Sequence, residues 1–388
     1  MFSLAEIAPV DYREPWDLGF DDRLAALERR PRRIAYLYDL ADNSTFRYRV
    51  YNPVQVLNGL SDAVSAGYFF AADRPHFARI ADSADLLVMC RTKYSDVINS
   101  IATQFRNRGR PVVYDIDDLV FDPVHAHLIA RTIGHPLHDD ATWSEWFGYV
   151  ARCGTAMRLC DGCIATNDRL AAHIEAFLGK PVKLLQNFIN REQLEVSDRV
   201  WAAKAALGFR GDGRIGLGYF SGTPTHRHDF AIAWPAIAAV MRARPAVELT
   251  VVGHIDIDAI DTDLQGRVRK LPFVDYVNLQ RAIGEIDLNL VPLQNNVFAH
   301  CKSELKYFEA AIVGTPTIAS PAHTLAARIA DGVNGYLARA HEWEPVLLRA
   351  IDDLGAPERM ARAARADAEA RYAWDRRLDD VLAALDWR

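Results

Sequence analysis

Cysteine is scarce in this chain: five in 388 residues, at Cys90, Cys153, Cys160, Cys163 and Cys301. An odd handful in so long a chain offers no disulfide framework, which fits a reducing compartment. Cys160 and Cys163 have the spacing of half a zinc site, but no second ligand pair follows at a suitable distance. Long apolar runs are missing too. The nearest, Ala231 to Met241, is about half of the ~20 residues that a membrane helix needs, and it contains Pro235. The opening MFSLAEIAPVDYREPWD has neither a basic start nor a sustained apolar stretch, so no signal peptide is expected. Cationic excess is also lacking: 45 Lys and Arg against 51 Asp and Glu leave a formal charge of −6, which argues against a dedicated nucleic-acid binder. These absences point to a cytoplasmic, soluble protein.

What is present is apolar: 50% of the residues are hydrophobic, which excludes a disordered or fibrous chain. A single core stops growing at roughly 250–300 residues, so two domains are expected. Short β-branched runs recur with helical patterns between them. RIAYLYD (33–39), DLLVMC (85–90), PVVYDI (111–116), GCIAT (162–166) and VKLL (182–185) form a first series. RIGLGYF (214–220), VELTVV (247–252), IDLNLV (286–291) and TPTIAS (315–320) form a second. Continuous apolar strands alternating with helices predict parallel sheets covered on both faces. The division expected is 1–188 for a first α/β domain, 189–365 for a second, and 366–388 for a helix packing back on the first. The first 30 residues read as one amphipathic, charged extension ending in ERRPRR (28–33), a basic cluster suited to a solvated helix end or to anionic lipid headgroups.

Ligands of open parallel sheets bind beyond the carboxyl ends of the strands, so two such domains predict a site in the cleft between them. The richest segment is FAHCKSELKYFEAAIVGTPTIAS, 298–320. Ser303 has the chemistry of an N-cap for a helix reaching Gly314, with Pro316 just beyond. Helical spacing puts Lys302, Lys306 and Glu309 on one face. Two lysines at a helix N-terminus suit a diphosphate, and a carboxylate accepting two hydrogen bonds suits a ribose. The plainer alternative is a surface salt bridge between one lysine and Glu309.

This segment resembles the donor-binding helix of GT-B glycosyltransferases, especially the retaining family four (group 1). The matching residues are Glu309, Ala310, Gly314, Pro316, Ile318, Ala319 and Ser320. The resemblance implies two Rossmann-like domains whose parallel sheets face each other across a cleft, and a ribose-binding role for Glu309. A second glutamate, eight positions earlier in the family, is replaced here by Cys301; Lys302 or Glu304 is the candidate to stand in for it. After the first strand of the second domain the family places Gly-Arg and, five residues on, Lys, which grip the diphosphate. Gly222 fits, Thr223 replaces the arginine and His228 the lysine, while Arg227 supplies a neighbouring charge. His226, Arg227, His228 and Asp229 lack the further ligands of a metal cluster.

The first domain contributes RPVVYDIDDLVFD (110–122), which puts Asp115, Asp117 and Asp118 at a strand's carboxyl end. Crowded carboxylates need cations or hydroxyl donors. A similar Asp-Ile-Asp-Asp run occurs in a subset of family-four-like enzymes, facing the transferred sugar. The string also resembles the motif of haloacid dehalogenase phosphatases, with Asp115 as nucleophile and magnesium as cofactor, and the metal motif of GT-A transferases. Leu119 and the missing later acid pair count against the phosphatase, and the second parallel domain counts against GT-A. Arg47 and Arg49 follow the first strand, where they can meet a phosphate or acidic sugar on an acceptor. Thr166, Asn167 and Asn187 follow later strands at acceptor-side positions. Trp143, Trp146 and Phe147 have the spacing of a helix burying its aromatics, with sugar stacking as the alternative.

The expectation is a GT-B glycosyltransferase moving a sugar from a nucleotide diphosphate sugar to a saccharide or lipid-linked saccharide, with no metal and no nucleic acid. Asp115, Asp117, Arg227 and Lys302 are the catalytic candidates. Gly222, Thr223, His228, Ser303, Glu304, Lys306 and Glu309 are those for the donor. Rival readings are the magnesium phosphatase and a non-catalytic sugar-nucleotide-binding protein. Such enzymes build surface polysaccharides, which would place the protein at the inner face of a membrane.

Overall fold

The computed structural model describes residues 1–133, 139–222, 227–253 and 261–387. Two six-stranded parallel sheets organise them. The first comprises β1 (Arg32–Tyr38), β2 (Val64–Phe70), β3 (Leu86–Cys90), β4 (Val112–Ile116), β5 (Gly162–Ala165) and β6 (Val182–Leu184), in the order β2-β1-β3-β4-β5-β6. The second comprises β7 (Ile215–Ser221), β8 (Val247–Gly253), β9 (Val268–Leu271), β10 (Leu288–Val291), β11 (Thr317–Ala319) and β12 (Tyr336–Leu337), in the order β12-β11-β10-β7-β8-β9. Alternate residues of one strand reach opposite faces. Ile34, Tyr36 and Tyr38 enter one apolar cluster and Ala35 and Leu37 another, so β1 is covered on both sides. That double burial explains why β1 reads as an unbroken apolar run.

Both sheets reverse their strand order once, between β1 and β3 and between β7 and β10. Such switch points open a crevice at the carboxyl ends of the strands. Tyr38 and Arg91 on one side, and Phe220, Ser221 and Val291 on the other, line the same cavity, so the two crevices face each other.

The terminal segments cross between the two domains: the start of the chain reaches the second, and the last helix packs back on the first. The first ten residues lie against the second domain: the Phe2 amide donates to the Glu285 carbonyl at 2.8 Å and the Val10 amide to Asn278 Oδ1 at 2.8 Å, with Leu4 and Ile7 buried. They are a strap on the second domain rather than part of a charged extension. At the other end the helix Glu358–Tyr372 rests on the second domain, where Arg365 donates to the Ile312 carbonyl at 3.1 Å. The chain then breaks at Ala373 (ψ 131°). The helix Leu378–Ala384 returns to the first domain, with the Leu385 carbonyl accepting from Arg32 at 2.7 Å and that of Ala383 from Lys183 at 3.1 Å. Within ERRPRR, Arg32 is thus engaged, and the Arg33 side chain donates to the Arg30 carbonyl at 3.0 Å. No helix among the described residues is long and apolar enough to cross a membrane.

Candidate functional site

A cavity of about 1290 Å³ lies between the carboxyl ends of the two sheets. Its second-domain wall holds Gly222, Lys302, Ser303, Glu304, Lys306 and Glu309. The helix here is shorter than Ser303 as a cap implies, running Leu305–Ala311 with Glu304 at the N-cap position. Ser303 is no cap because its hydroxyl turns across the cleft, where it accepts from Asn187 Nδ2 at 3.0 Å. Lys302 therefore lies in the turn before the helix. Neither Lys302 nor Lys306 forms an ion pair among the described residues. Burial, and then the like charge of Lys302, push the Lys306 ammonium down to about 8. A lysine whose charge is this poorly compensated is primed for an anion.

Glu309 is a buried junction of both domains. Its Oε1 accepts from Tyr48 Oη at 2.5 Å, from Arg47 at 3.3 Å and from Gln193 Nε2 at 3.2 Å. Among the described residues Oε2 takes no hydrogen bond, which leaves it for a ligand. Arg47 is stacked between the rings of Tyr48 and Tyr276, 4.0 and 4.5 Å from their centroids. Both first-domain residues come from a π-helical turn, Arg47–Tyr51, that runs straight into the helix Asn52–Leu60. A wider turn of this kind re-aims successive side chains. Here Arg47 and Tyr48 reach Glu309, while Arg49 goes the other way.

Arg49 and Asp115 do not reach the cavity. They form a two-pronged buried pair, Nε–Oδ1 2.7 Å and Nη2–Oδ2 2.9 Å, and Arg49 also donates to the Leu185 carbonyl and to Asn187 Oδ1. With both oxygens engaged and 1% exposure, Asp115 cannot act as the nucleophile of a phosphatase. Asp115→Ala leaves an uncompensated guanidinium in the core and is expected to destabilise the fold by about 3–5 kcal/mol. Denaturant unfolding checks this, and a loss below about 1 kcal/mol would refute the structural role.

Asp117 and Asp118 do line the cavity. Arg91 holds both, at 3.1 and 3.5 Å, and Thr45 Oγ1 donates to Asp117 Oδ2 at 2.8 Å. Arg91 sits at φ 45°, a left-handed conformation costly for a residue with a Cβ. That turn carries the chain out of β3 and aims the guanidinium at the aspartates and at Tyr149 Oη, 3.1 Å from Nε. Burial, with Asp117 adding to it, raises the Asp118 carboxyl, against the pull of Arg91 and Lys302.

Other expected residues lie elsewhere. Thr166 and Asn167 are buried outside the cavity: Asn167 caps the helix Asp168–Leu178 through the Leu170 amide, and its Nδ2 donates to the Cys301 carbonyl at 2.8 Å. Cys301 is buried, its thiol pushed up to about 12 by that burial, so nothing acidic replaces the family's first glutamate there. Glu304, the other candidate, is held by Tyr372 Oη at 2.7 Å and Gln186 at 3.2 Å, with Arg328 3.8 Å away. His228 is exposed at the start of the helix Arg227–Ala243 and does not line the cavity. Thr223, His226 and the Arg227 side chain fall outside the described residues. The helix Asp140–Arg158 does not bury its aromatics as expected; Phe147 is 44% exposed, and Trp146 and Tyr149 face the cavity. Among the described residues no group of three or more His, Cys, Asp or Glu side chains is placed to hold a metal.

Residues 217–355 match the family model Glycosyl transferases group 1. The chain is 30% identical over 163 residues to the D-inositol 3-phosphate glycosyltransferase of Segniliparus rotundus, covering 38% of this chain and 35% of that one. It thus spans about a third of the length of that curated relative. Among solved structures, WaaG, a glycosyltransferase involved in lipopolysaccharide biosynthesis, superposes with a TM-score of 0.61 at 13% identity, over 91% of this chain and 100% of that one. Anabaena Alr3699/HepE, in complex with UDP and glucose, gives 0.58 at 16% identity, over 91% and 99%. The fold is GT-B: two Rossmann-like domains with a cleft between them.

Proposed function

We propose that the protein is a glycosyltransferase that moves a sugar from a nucleoside diphosphate donor to a saccharide hydroxyl. The observation that carries this reading is Lys302 and Lys306, two cations without ion-pair partners among the described residues, on the same cavity wall as Glu309. The family match over that wall and the nucleotide-bound structural neighbours support it. In this reading Glu309 Oε2 accepts from the ribose hydroxyls, while Arg47, Tyr48 and Gln193 fix its other oxygen. Lys302 and Lys306 take the charge that grows on the diphosphate as the glycosidic bond breaks, which is the main catalytic task in such a transfer. Asp117 and Asp118 orient hydroxyls, and Asp115 and Arg49 act only as the frame behind them. No metal is needed, because the lysines supply the cationic charge. Hexose transfer with retained anomeric configuration, a lipid-linked acceptor and work at the inner face of a membrane, building surface polysaccharide, belong to the same proposal.

A thermal-shift panel of UDP-, GDP- and dTDP-sugars tests it, since a ligand at 100 times its Kd stabilises by about 2.7 kcal/mol. At least one is expected to raise Tm and to be turned over in EDTA; no shift with any of them overturns the reading.

The position of Lys306 near 8 gives a pH signature. Bound diphosphate favours the protonated ammonium, so affinity is full below pH 8 and falls by up to tenfold per unit above it. In kcat/KM for the donor, a downward break is expected near pH 8, and Lys306→Arg should move it above pH 9.5 or so. A wild-type profile flat to pH 10 would contradict this.

A further inference from the structure

The two walls of the cavity differ in charge. On the second-domain wall the carboxylates have partners, Glu309 with Arg47 at 3.3 Å and Glu304 with Arg328 at 3.8 Å, and the two lysines have no ion-pair partner among the described residues. On the first-domain wall the balance is reversed. Lys93 is paired with Asp39 at 3.0 Å, and the single guanidinium of Arg91 faces both Asp117 and Asp118. Asp42 accepts from the Ser44 and Phe46 amides and from Tyr38 Oη, and Glu145 is exposed with no ion pair among the described residues. Arg152 alone, of the described cations on this wall, has no carboxylate in contact; its Nε donates to the Tyr94 carbonyl at 2.9 Å. With Arg47 committed to Glu309, five carboxylates therefore face three cations among the described residues of this wall. Beside them stand the rings of Trp146 and Tyr149, 5.9 Å apart at 72°, a surface suited to the apolar face of a sugar ring.

From this we infer that the first-domain half of the cavity is an acceptor subsite for an uncharged or amino-bearing sugar, and that it rejects a phosphorylated one. The inference deepens the glycosyltransferase reading and rests on it. A phosphate adds nearly two negative charges and must find cations to replace its water. Lys93 and Arg91 are already neutralised, Arg152 is the one described cation of this wall without a carboxylate in contact, and the excess carboxylates outweigh it and repel a phosphate. Arg47 and Arg49, whose sequence positions suit a phosphate, are spent on Glu309 and Asp115. A neutral ring meets hydroxyl acceptors and aromatic faces at no such cost, and an ammonium group gains from the same field.

The test uses the intact protein with whichever nucleotide sugar stabilises it, and three acceptor pairs: glucose and glucose 6-phosphate, inositol and inositol 1-phosphate, glucosamine and glucosamine 6-phosphate. Release of nucleoside diphosphate is the readout. In every pair that turns over, the unphosphorylated member is expected to win by about 100-fold in kcat/KM. Asp39→Asn, which releases Lys93, should narrow that preference about tenfold. Preference for a phosphorylated member, or an unchanged preference in Asp39→Asn, overturns the inference. If no pair turns over, thermal shifts of the nucleoside diphosphate-loaded protein decide: larger shifts with the phosphorylated members, or none with any of the six, also overturn it. Failure of every nucleotide sugar to bind would instead overturn the glycosyltransferase reading itself.

Discussion

Lys306→Met is expected to lower kcat by about 10²–10³-fold, the usual cost of losing one preorganised group that stabilises developing negative charge. Lys302→Met should fall in the same range. The stability of Lys306→Met is the discriminating control. Burial and Lys302 already disfavour the ammonium, so an apolar side chain of similar length removes an electrostatic penalty and leaves Tm unchanged or raised. A side chain kept only to maintain the fold would behave in the opposite way. Activity within about threefold of wild type in Lys306→Met would exclude this lysine from diphosphate stabilisation.

Glu309→Gln is expected to weaken nucleoside diphosphate binding about 100-fold, the scale of one or two charge-assisted hydrogen bonds. It also strands the Arg47 guanidinium, which is buried against Glu309 Oε1, so a stability loss of about 3–5 kcal/mol should accompany it. Affinity alone is thus ambiguous. The ribose role is read from the ratio of Kd for a nucleoside diphosphate and its 2′-deoxy counterpart at a temperature where the variant is folded. Wild type should prefer the ribonucleotide by tenfold or more and the variant should not. An unchanged ratio would remove Glu309 from the ribose.

The sheets were legible where the strands are buried on both faces, because their apolar runs are unbroken. β2 escaped notice because Gly67 interrupts VSAGYFF; a Cβ there would lie 2.7 Å from the Arg23 carbonyl, so the glycine marks a close helix crossing rather than a break. β9 (Val268–Leu271) has two exposed residues, Arg269 and Lys270, and reads as a solvated segment. At the site, residue types were legible but their long-range partners were not: Glu309 is held by Arg47, Tyr48 and Gln193 from far along the chain. Lys302, Lys306 and Glu309 all line the cavity, although Lys302 lies in the turn before the helix and not on its face. Ser303 has cap chemistry, but Asn187 of the other domain takes its hydroxyl, a long-range competition invisible to local pattern. Tyr48 and Arg91 were missed for a similar reason. A π-helical turn and a left-handed backbone aim them, and neither conformation has a sequence signature in RYRVY or MCRTK. The signal that existed for Tyr48 was its place between two arginines whose charges both needed partners.

The straps at the two ends have a bearing on recombination. Residues 1–10 lie with the second domain and the helix Leu378–Ala384 with the first, so neither lobe is one continuous stretch of chain. A chimera that exchanges donor specificity by swapping 189–388 would import a foreign helix onto the first lobe and leave a foreign strap on the second. The transplantable unit for the donor lobe is 1–10 together with 190–372. Library designs that cut only near 188 would sample mismatched seams at both termini before they sampled any new specificity.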